Sequence, residues 1–104
     1  MEKDGKVKEY EYGYLSFEGE YLNGKKNGKG KEYEFGKFKF EGEYLNGKRN
    51  GKGKEYDYDG ALIYEGEYSN GKWNGKGKEY EFGTLIYEGE YSRGKRKIKN
   101  IWKK

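Results

Sequence analysis

The 104-residue sequence predicts an all-β fold: an elongated, single-layer, twisted antiparallel meander of β-hairpin repeats, with about nine strands and essentially no helix. Three observations lead there. Glu-Gly-Glu-Tyr begins at Glu18, Glu41, Glu65 and Glu88, and Asn-Gly-Lys-Gly-Lys-Glu-Tyr begins at Asn27, Asn50 and Asn74, so one unit recurs every 23 or 24 residues. Apolar and charged residues alternate inside each unit, which is the period of a pleated strand. Glycine-containing links separate the alternating runs, where tight turns need them.

Taken in order, the runs predict strands at 6–12, 15–22, 29–35, 38–45, 52–58, 62–68, 76–82 and 85–91, with a closing strand at 97–102. The short links Gly13-Tyr14, Gly36-Lys37 and Gly83-Thr84 put glycine first, as a type II′ turn requires; Phe35 would then face Phe38, and Tyr33 would face Phe40. Longer Asn/Gly/Lys stretches, such as Asn46 to Gly51, join the other strand ends. The single interval of 24 confines one extra residue to the stretch between Tyr56 and Glu65. A three-residue turn at Asp59-Gly60-Ala61 would absorb it, pairing Tyr58 with Leu62 and Tyr56 with Tyr64 and keeping the faces in phase. In the tail from Lys95 to Lys104, Ile98, Ile101 and Trp102 match the spacing of a short basic amphipathic helix, while Ile98 and Trp102 also match strand parity. A closing strand is the simpler reading. The chain is one domain, 1–104, with a leading half-unit at 5–13, units at about 14–36, 37–60 and 61–83, and a trailing unit at 84–104.

Composition suits a thin sheet better than a globule. Hydrophobic residues are only 31% and charged residues 40%, but aromatics reach 19% with 13 Tyr, and a tyrosine buries a ring while keeping its hydroxyl wet. The net charge of +4 comes from 23 basic against 19 acidic residues, so no general affinity for polyanions follows. The sequence has no Cys and no His, which removes disulfides, thiolate metal sites and the usual acid–base catalyst. Every carboxylate pair has a twin one unit away, whereas catalysis needs two environments that split the pKa values. No catalytic residue, metal site or cofactor is expected, and the dense carboxylates oppose nucleic acid. No apolar run approaches the roughly 20 residues of a membrane-spanning helix, and cytoplasmic residence is the expectation.

Strict parity sends nearly all Tyr and Phe to one face and 16 of the 19 acidic residues, all but Glu2, Asp4 and Asp59, to the other. Gly19, Gly42, Gly66 and Gly89, each at a strand centre, would let neighbouring rings tilt over bare backbone and the sheet coil into an aromatic groove. With no helix to cover it, that groove is the expected partner-binding surface: Phe17, Tyr21, Tyr33, Phe35, Phe40, Tyr44, Tyr56, Tyr64, Tyr68, Tyr80, Tyr87 and Tyr91. Its occupant would be a peptide or helix of a protein partner, or a second copy of the chain. The Asn-Gly-Lys links, with Arg93 and Lys97, form a basic rim in which Lys25, Lys26, Lys48, Arg49, Lys72, Lys95 and Arg96 are the candidates for contact with an anion or acidic lipid.

Tyr64, Gly66, Tyr68, Gly71, Gly75 and Gly77 follow a Tyr-x-Gly-x-aromatic…Gly…Gly-x-Gly pattern, and with the Asn-Gly-Lys and Gly-Lys-Gly elements of each unit the sequence resembles MORN (membrane occupation and recognition nexus) repeats over nearly its whole length. Asn27, Asn50 and Asn74 depart from the family, which usually has histidine there. The resemblance implies a rod-like single-layer meander. It also implies a scaffold, dimerisation or partner-binding role at the cytoskeleton or a junction, or contact with phospholipid head groups of an acidic membrane.

Overall fold

The computed structural model describes residues 3–98. Among them lie nine strands and no helix: β1 (Gly5–Glu11), β2 (Tyr14–Leu22), β3 (Lys25–Glu34), β4 (Lys37–Leu45), β5 (Lys48–Tyr56), β6 (Leu62–Ser69), β7 (Lys72–Glu81), β8 (Thr84–Ser92) and β9 (Lys95–Arg96). Each pairs antiparallel with the next, so the sheet order is the chain order. The result is an open sheet of 60 × 29 × 16 Å, the single-layer meander the sequence predicts.

The turns differ in detail from the sequence expectation. The links between β2 and β3, β4 and β5, β6 and β7, and β8 and β9 are two-residue turns at Asn23-Gly24, Asn46-Gly47, Asn70-Gly71 and Arg93-Gly94, with both residues at positive φ. That is type I′, whose twist matches the strands it joins. The stretches expected to be long connections are therefore the first halves of β3, β5 and β7. At the opposite edge the turns are Tyr12-Gly13, Phe35-Gly36 and Phe82-Gly83, also type I′ and one residue earlier than expected. Asp57 organises the longer fourth turn, its Oδ1 accepting the N–H groups of Asp59 and Ala61.

These turns, each followed by a bulge, change the facing. Tyr33 lies opposite Phe38 rather than Phe40, and the register then skips Lys39 so that Phe40 faces Glu32. In the loop-closed hairpin Tyr56 meets Leu62 and Glu55 meets Tyr64, replacing the expected Tyr58–Leu62 and Tyr56–Tyr64 pairs. An extra residue in one strand reverses which side the following residues face. Parity counted straight along the sequence therefore fails at the bulge, and Glu9, Glu32, Glu55 and Glu79 come to lie on the ring-bearing face.

Across the centre of the sheet Gly19, Gly30, Gly42, Gly53, Gly66, Gly77 and Gly89 pair in one continuous row. The row has no room for a Cβ: one placed on Gly42 would stand 2.6 Å from the Gly53 Cα and 2.7 Å from the Phe40 ring. Phe17, Phe40, Tyr64 and Tyr87 spread over this row in turn. With Tyr21, Tyr44, Tyr68 and Tyr91 they form an unbroken zigzag of edge-to-face contacts, for example Phe17–Tyr44 at 5.5 Å, Tyr44–Phe40 at 5.7 Å and Phe40–Tyr68 at 5.1 Å. Each such contact adds roughly 0.5–1.5 kcal/mol beyond area burial, and three of the seven, Phe17–Tyr44, Phe40–Tyr68 and Tyr64–Tyr91, join one hairpin to the next.

Polar staples also cross between repeats. The Gly47 N–H donates to the Lys26 carbonyl and the Gly71 N–H to that of Arg49, both at 2.9 Å. Beside them Asn27, Asn50 and Asn74 offer Oδ1 to the backbone N–H of Asn46, Asn70 and Arg93. Asparagine thus ties its hairpin to the next turn at the position where a histidine is usual. Strand β9 ends at Arg96, with the Lys97 N–H still donating to the Glu90 carbonyl at 2.7 Å, and Ile98 stands where the earlier repeats have Gly28, Gly51 and Gly75, all near φ +97°. The closing strand expected at 97–102 finds no strand at Lys97 or Ile98, and its remainder lies outside the described residues.

Gly42→Ala is expected to destabilise the sheet by about 3 kcal/mol, since the added methyl meets backbone rather than a movable side chain. Lys52→Ala, on the neighbouring strand and exposed, should stay within about 0.5 kcal/mol in the same urea titration.

Candidate functional site

The two faces of the sheet offer different surfaces. On the ring face, Phe17, Phe40, Tyr44, Tyr64, Tyr68 and Tyr91 are buried. A second layer of side chains from β3, β5, β7 and β9 closes over them. Lys26 Nζ stands 4.4 Å above the Phe17 ring, the Arg49 guanidinium 4.1 Å above Phe40, and the Arg96 guanidinium 4.7 Å above Tyr87. Trp73 occupies the equivalent place over Tyr64, stacked at 4.2 Å.

Carboxylates lock this layer. Tyr21 donates its hydroxyl to Glu9, Tyr44 to Glu32, Tyr68 to Glu55 and Tyr91 to Glu79. Arg49, its side chain only 15% exposed, donates through Nε and Nη2 to Glu32 and through Nη1 to Glu55, bridging two repeats. Burial alone would raise the Glu32 pKa, but the hydrogen bonds from Arg49 and Tyr44 and the charges of Arg49 and Lys26 hold it below the usual carboxylate range. Burial and the Glu32 carboxylate push the Tyr44 hydroxyl far up.

The opposite face is bare. With the Cβ directions of the central row, Gly19, Gly30, Gly42, Gly53, Gly66, Gly77 and Gly89, aimed at the rings, that row presents naked backbone as the floor of an open trough of about 1410 Å³. Two rows of alternating Lys and Glu flank it, one running Lys8, Glu18, Lys31, Glu41, Lys54, Glu65 and the other including Glu43, Lys52, Glu67 and Lys76. Glu20, Glu43 and Glu67 fold onto their own bulges and accept the N–H groups of Lys29, Lys52 and Lys76.

Beyond the first charged row lies a third row, which the strict-parity reading missed. Tyr10 pairs with Leu15, Tyr33 with Phe38, Tyr56 with Leu62 and Tyr80 with Leu85, all on the trough side of their bulges. The Phe38 and Tyr56 rings meet at 4.9 Å. Tyr33 and Tyr80 donate to the trough carboxylates Glu18 and Glu65. Burial and Glu18 push Tyr33 up to about 12. Tyr33, Phe38, Tyr56, Leu62 and Tyr80 are half-buried, whereas Tyr10 and Leu85, toward the ends of the row, are exposed.

The expected aromatic groove is therefore divided. Phe17, Tyr21, Phe40, Tyr44, Tyr64, Tyr68, Tyr87 and Tyr91 pack against one another under their own cations, so this face is not the open surface the sequence suggested. Tyr33, Tyr56 and Tyr80 lie on the other face, and Phe35 projects from a turn. The expected basic rim is divided too. Lys26, Arg49 and Arg96 lie over rings, while Lys25, Lys48, Lys72 and Lys95 remain exposed beside the turns. The available signal was the turn: an aromatic–Gly pair read as type I′ would have placed the bulge and with it Tyr33, Phe38 and Tyr56.

The titrations predict stability against pH. Glu32 has a folded pKa below its unfolded value of 4.5, so its contribution is present above that pH and is lost as the pH falls through the folded pKa. Tyr44 has a folded pKa above its unfolded value of 10.0, so its contribution holds below that pH and is lost as the pH rises further. Tyr44→Phe should cost about 1 kcal/mol at neutral pH and flatten the alkaline loss, as read from melting temperatures across the pH range.

No match to a curated protein is found. The sequence model described as "MORN repeat" matches residues 17–33, 40–62, 64–80 and 87–97, well over half of the chain. The matched stretches begin at the rings Phe17, Phe40, Tyr64 and Tyr87, and in the last three Tyr44, Tyr68 and Tyr91 reach back to the ring of the preceding hairpin; on that match the chain belongs to the MORN repeat family.

Proposed function

We propose that the chain is a non-enzymatic scaffold that holds a segment of a protein partner along the trough face. One observation carries this reading: the half-buried apolar row of Tyr33, Phe38, Tyr56, Leu62 and Tyr80 runs beside a bare backbone floor on a face with no second layer among the described residues. A contiguous apolar strip rimmed by charge is what interaction surfaces expose. The alternating Lys and Glu of the flanking rows suit an amphipathic segment that carries both charges, since either sign alone would meet as many repulsions as attractions. The ring face, which the sequence favoured, keeps the hairpins together and offers a partner mainly the tops of Lys26, Arg49 and Arg96.

A second reading has its own support. Among the described residues, Lys25, Lys48, Lys72, Arg93 and Lys95 are exposed at one edge with no carboxylate in ion-pair reach. Such an edge favours an acidic membrane surface, at about 1 kcal/mol for each cation close to the lipid.

Peptides selected from a displayed library against the immobilised protein should bind it through the trough. Phe38→Ser with Tyr56→Ser is expected to weaken them about tenfold or more while circular dichroism still reports the sheet, and Tyr12→Ser should leave them bound. Peptides indifferent to the first pair would remove the trough reading. Cosedimentation with phosphatidylserine vesicles tests the other edge: binding should fall with salt and with Lys25, Lys48 and Lys72 changed to Ser.

A further inference from the structure

The edge opposite those cations combines two features that its own fold does not explain. Tyr12, Phe35 and Phe82 adopt φ of 52°, 49° and 51° at the first position of their type I′ turns. A bulky side chain is an outlier there, where three of the four turns on the other edge use Asn23, Asn46 and Asn70 and only the last has a bulky residue, Arg93. Burial does not compensate the cost, since Tyr12 is 87% and Phe82 95% exposed. At every turn of this edge a carboxylate precedes the ring: Glu11-Tyr12, Glu34-Phe35, Asp57-Tyr58 and Glu81-Phe82.

The other edge is its complement. Lys25, Lys48, Lys72 and Lys95 each follow the glycine of a turn, one per hairpin. Because each hairpin contributes two strands, both edges share a pitch of roughly 9.6 Å. Tyr12, Phe35 and Phe82 thus stand as open rings on one side at the spacing of the ammonium groups on the other, while Tyr58 is already under Lys37 and Glu34 pairs with Lys39. The chain already shows the contact in miniature, with Lys37 Nζ seated 4.5 Å over the Tyr58 ring.

We propose that the protein associates laterally with a second copy of itself, the acidic aromatic edge of one copy receiving the lysine edge of the next. Four hairpins at that pitch and a thickness of 16 Å give an edge of roughly 600 Å² per copy, at the lower end of specific interfaces and fit for weak, reversible contact. The contact is heterologous, so it leaves one edge of each kind free and propagates into a flat ribbon. It leaves the trough open and would compete with an acidic membrane for the same lysines.

Sedimentation velocity on three proteins tests this. One variant carries Tyr58→Ser together with Tyr12→Asn, Phe35→Asn and Phe82→Asn, of which the three asparagine changes convert their turns to the asparagine–glycine form of the other edge and should not weaken the fold. The other carries Lys25, Lys48, Lys72 and Lys95 changed to Ser. Wild type should gain mass with concentration at low salt and lose it at high salt. Each variant alone should remain monomeric, and an equimolar mixture should form a one-to-one dimer, because each supplies the edge the other lacks. A monomeric wild type, variants that associate as wild type does, or a mixture that stays monomeric would overturn the proposal. So would a monomeric wild type that binds polylysine in a Phe35-dependent way, which would assign the edge to a foreign basic partner. Trough-binding peptides should hold all three proteins equally, so a failure here leaves that reading intact.

Discussion

An aromatic ring lying flat over paired backbone glycines is the contact on which the rest of this sheet depends. A single-layer sheet has no second layer to bury its side chains, and an isolated two-stranded hairpin is marginal in water. Phe17, Phe40 and Tyr64 solve that within the layer, each covering glycines on its own strand and on the following one. A side chain at Gly30, Gly53 or Gly77 would lift the ring and expose it. The glycine row and the rings are thus one device, and its repetition gives the array continuity from hairpin to hairpin.

That device also determines what each face can do. Turning the Cβ directions of the central glycine row toward the rings fills one face and empties the other. On the filled face, Lys26, Arg49 and Arg96 are spent over rings and their charge is answered by Glu32, Glu55 and Glu79, which makes an outwardly polar surface with a dry interior. On the emptied face, Lys and Glu stand apart on either side of bare backbone. Charge is neutralised locally on both, so the molecule's asymmetry is concentrated at its edges. One edge is rich in Lys, the other in carboxylates and exposed rings.

Most of the fold was legible in the sequence, because its signals are local and repeated. The period, the strand number and the absence of helix follow from Glu-Gly-Glu-Tyr and Asn-Gly-Lys-Gly-Lys-Glu-Tyr alone. The facing was only half legible. Type II′ at Gly36-Lys37 and type I′ at Phe35-Gly36 both fit the glycine, and an aromatic residue argues against the left-handed region, yet the structure places Phe35 there at φ 49°. With the bulge at Lys39 that choice moves Tyr33 and Phe38 to the trough and Glu32 beneath Arg49. No pattern of alternation shows a skipped residue, so alternation alone assigns the open surface to the rings. The tethering role of Asn27, Asn50 and Asn74 was equally hidden, since each caps a turn 19 or 20 residues further along the chain.

Glycine α-proton chemical shifts test the central contact most directly, because a ring lying over a Cα shields its protons. Strong upfield shifts are expected at Gly30, Gly53 and Gly77, beneath Phe17, Phe40 and Tyr64, and ordinary values at Gly47 and Gly71, which face open space. Random-coil shifts along the whole glycine row would contradict that contact, for the rings would then lie elsewhere and the bare trough floor would have no cause.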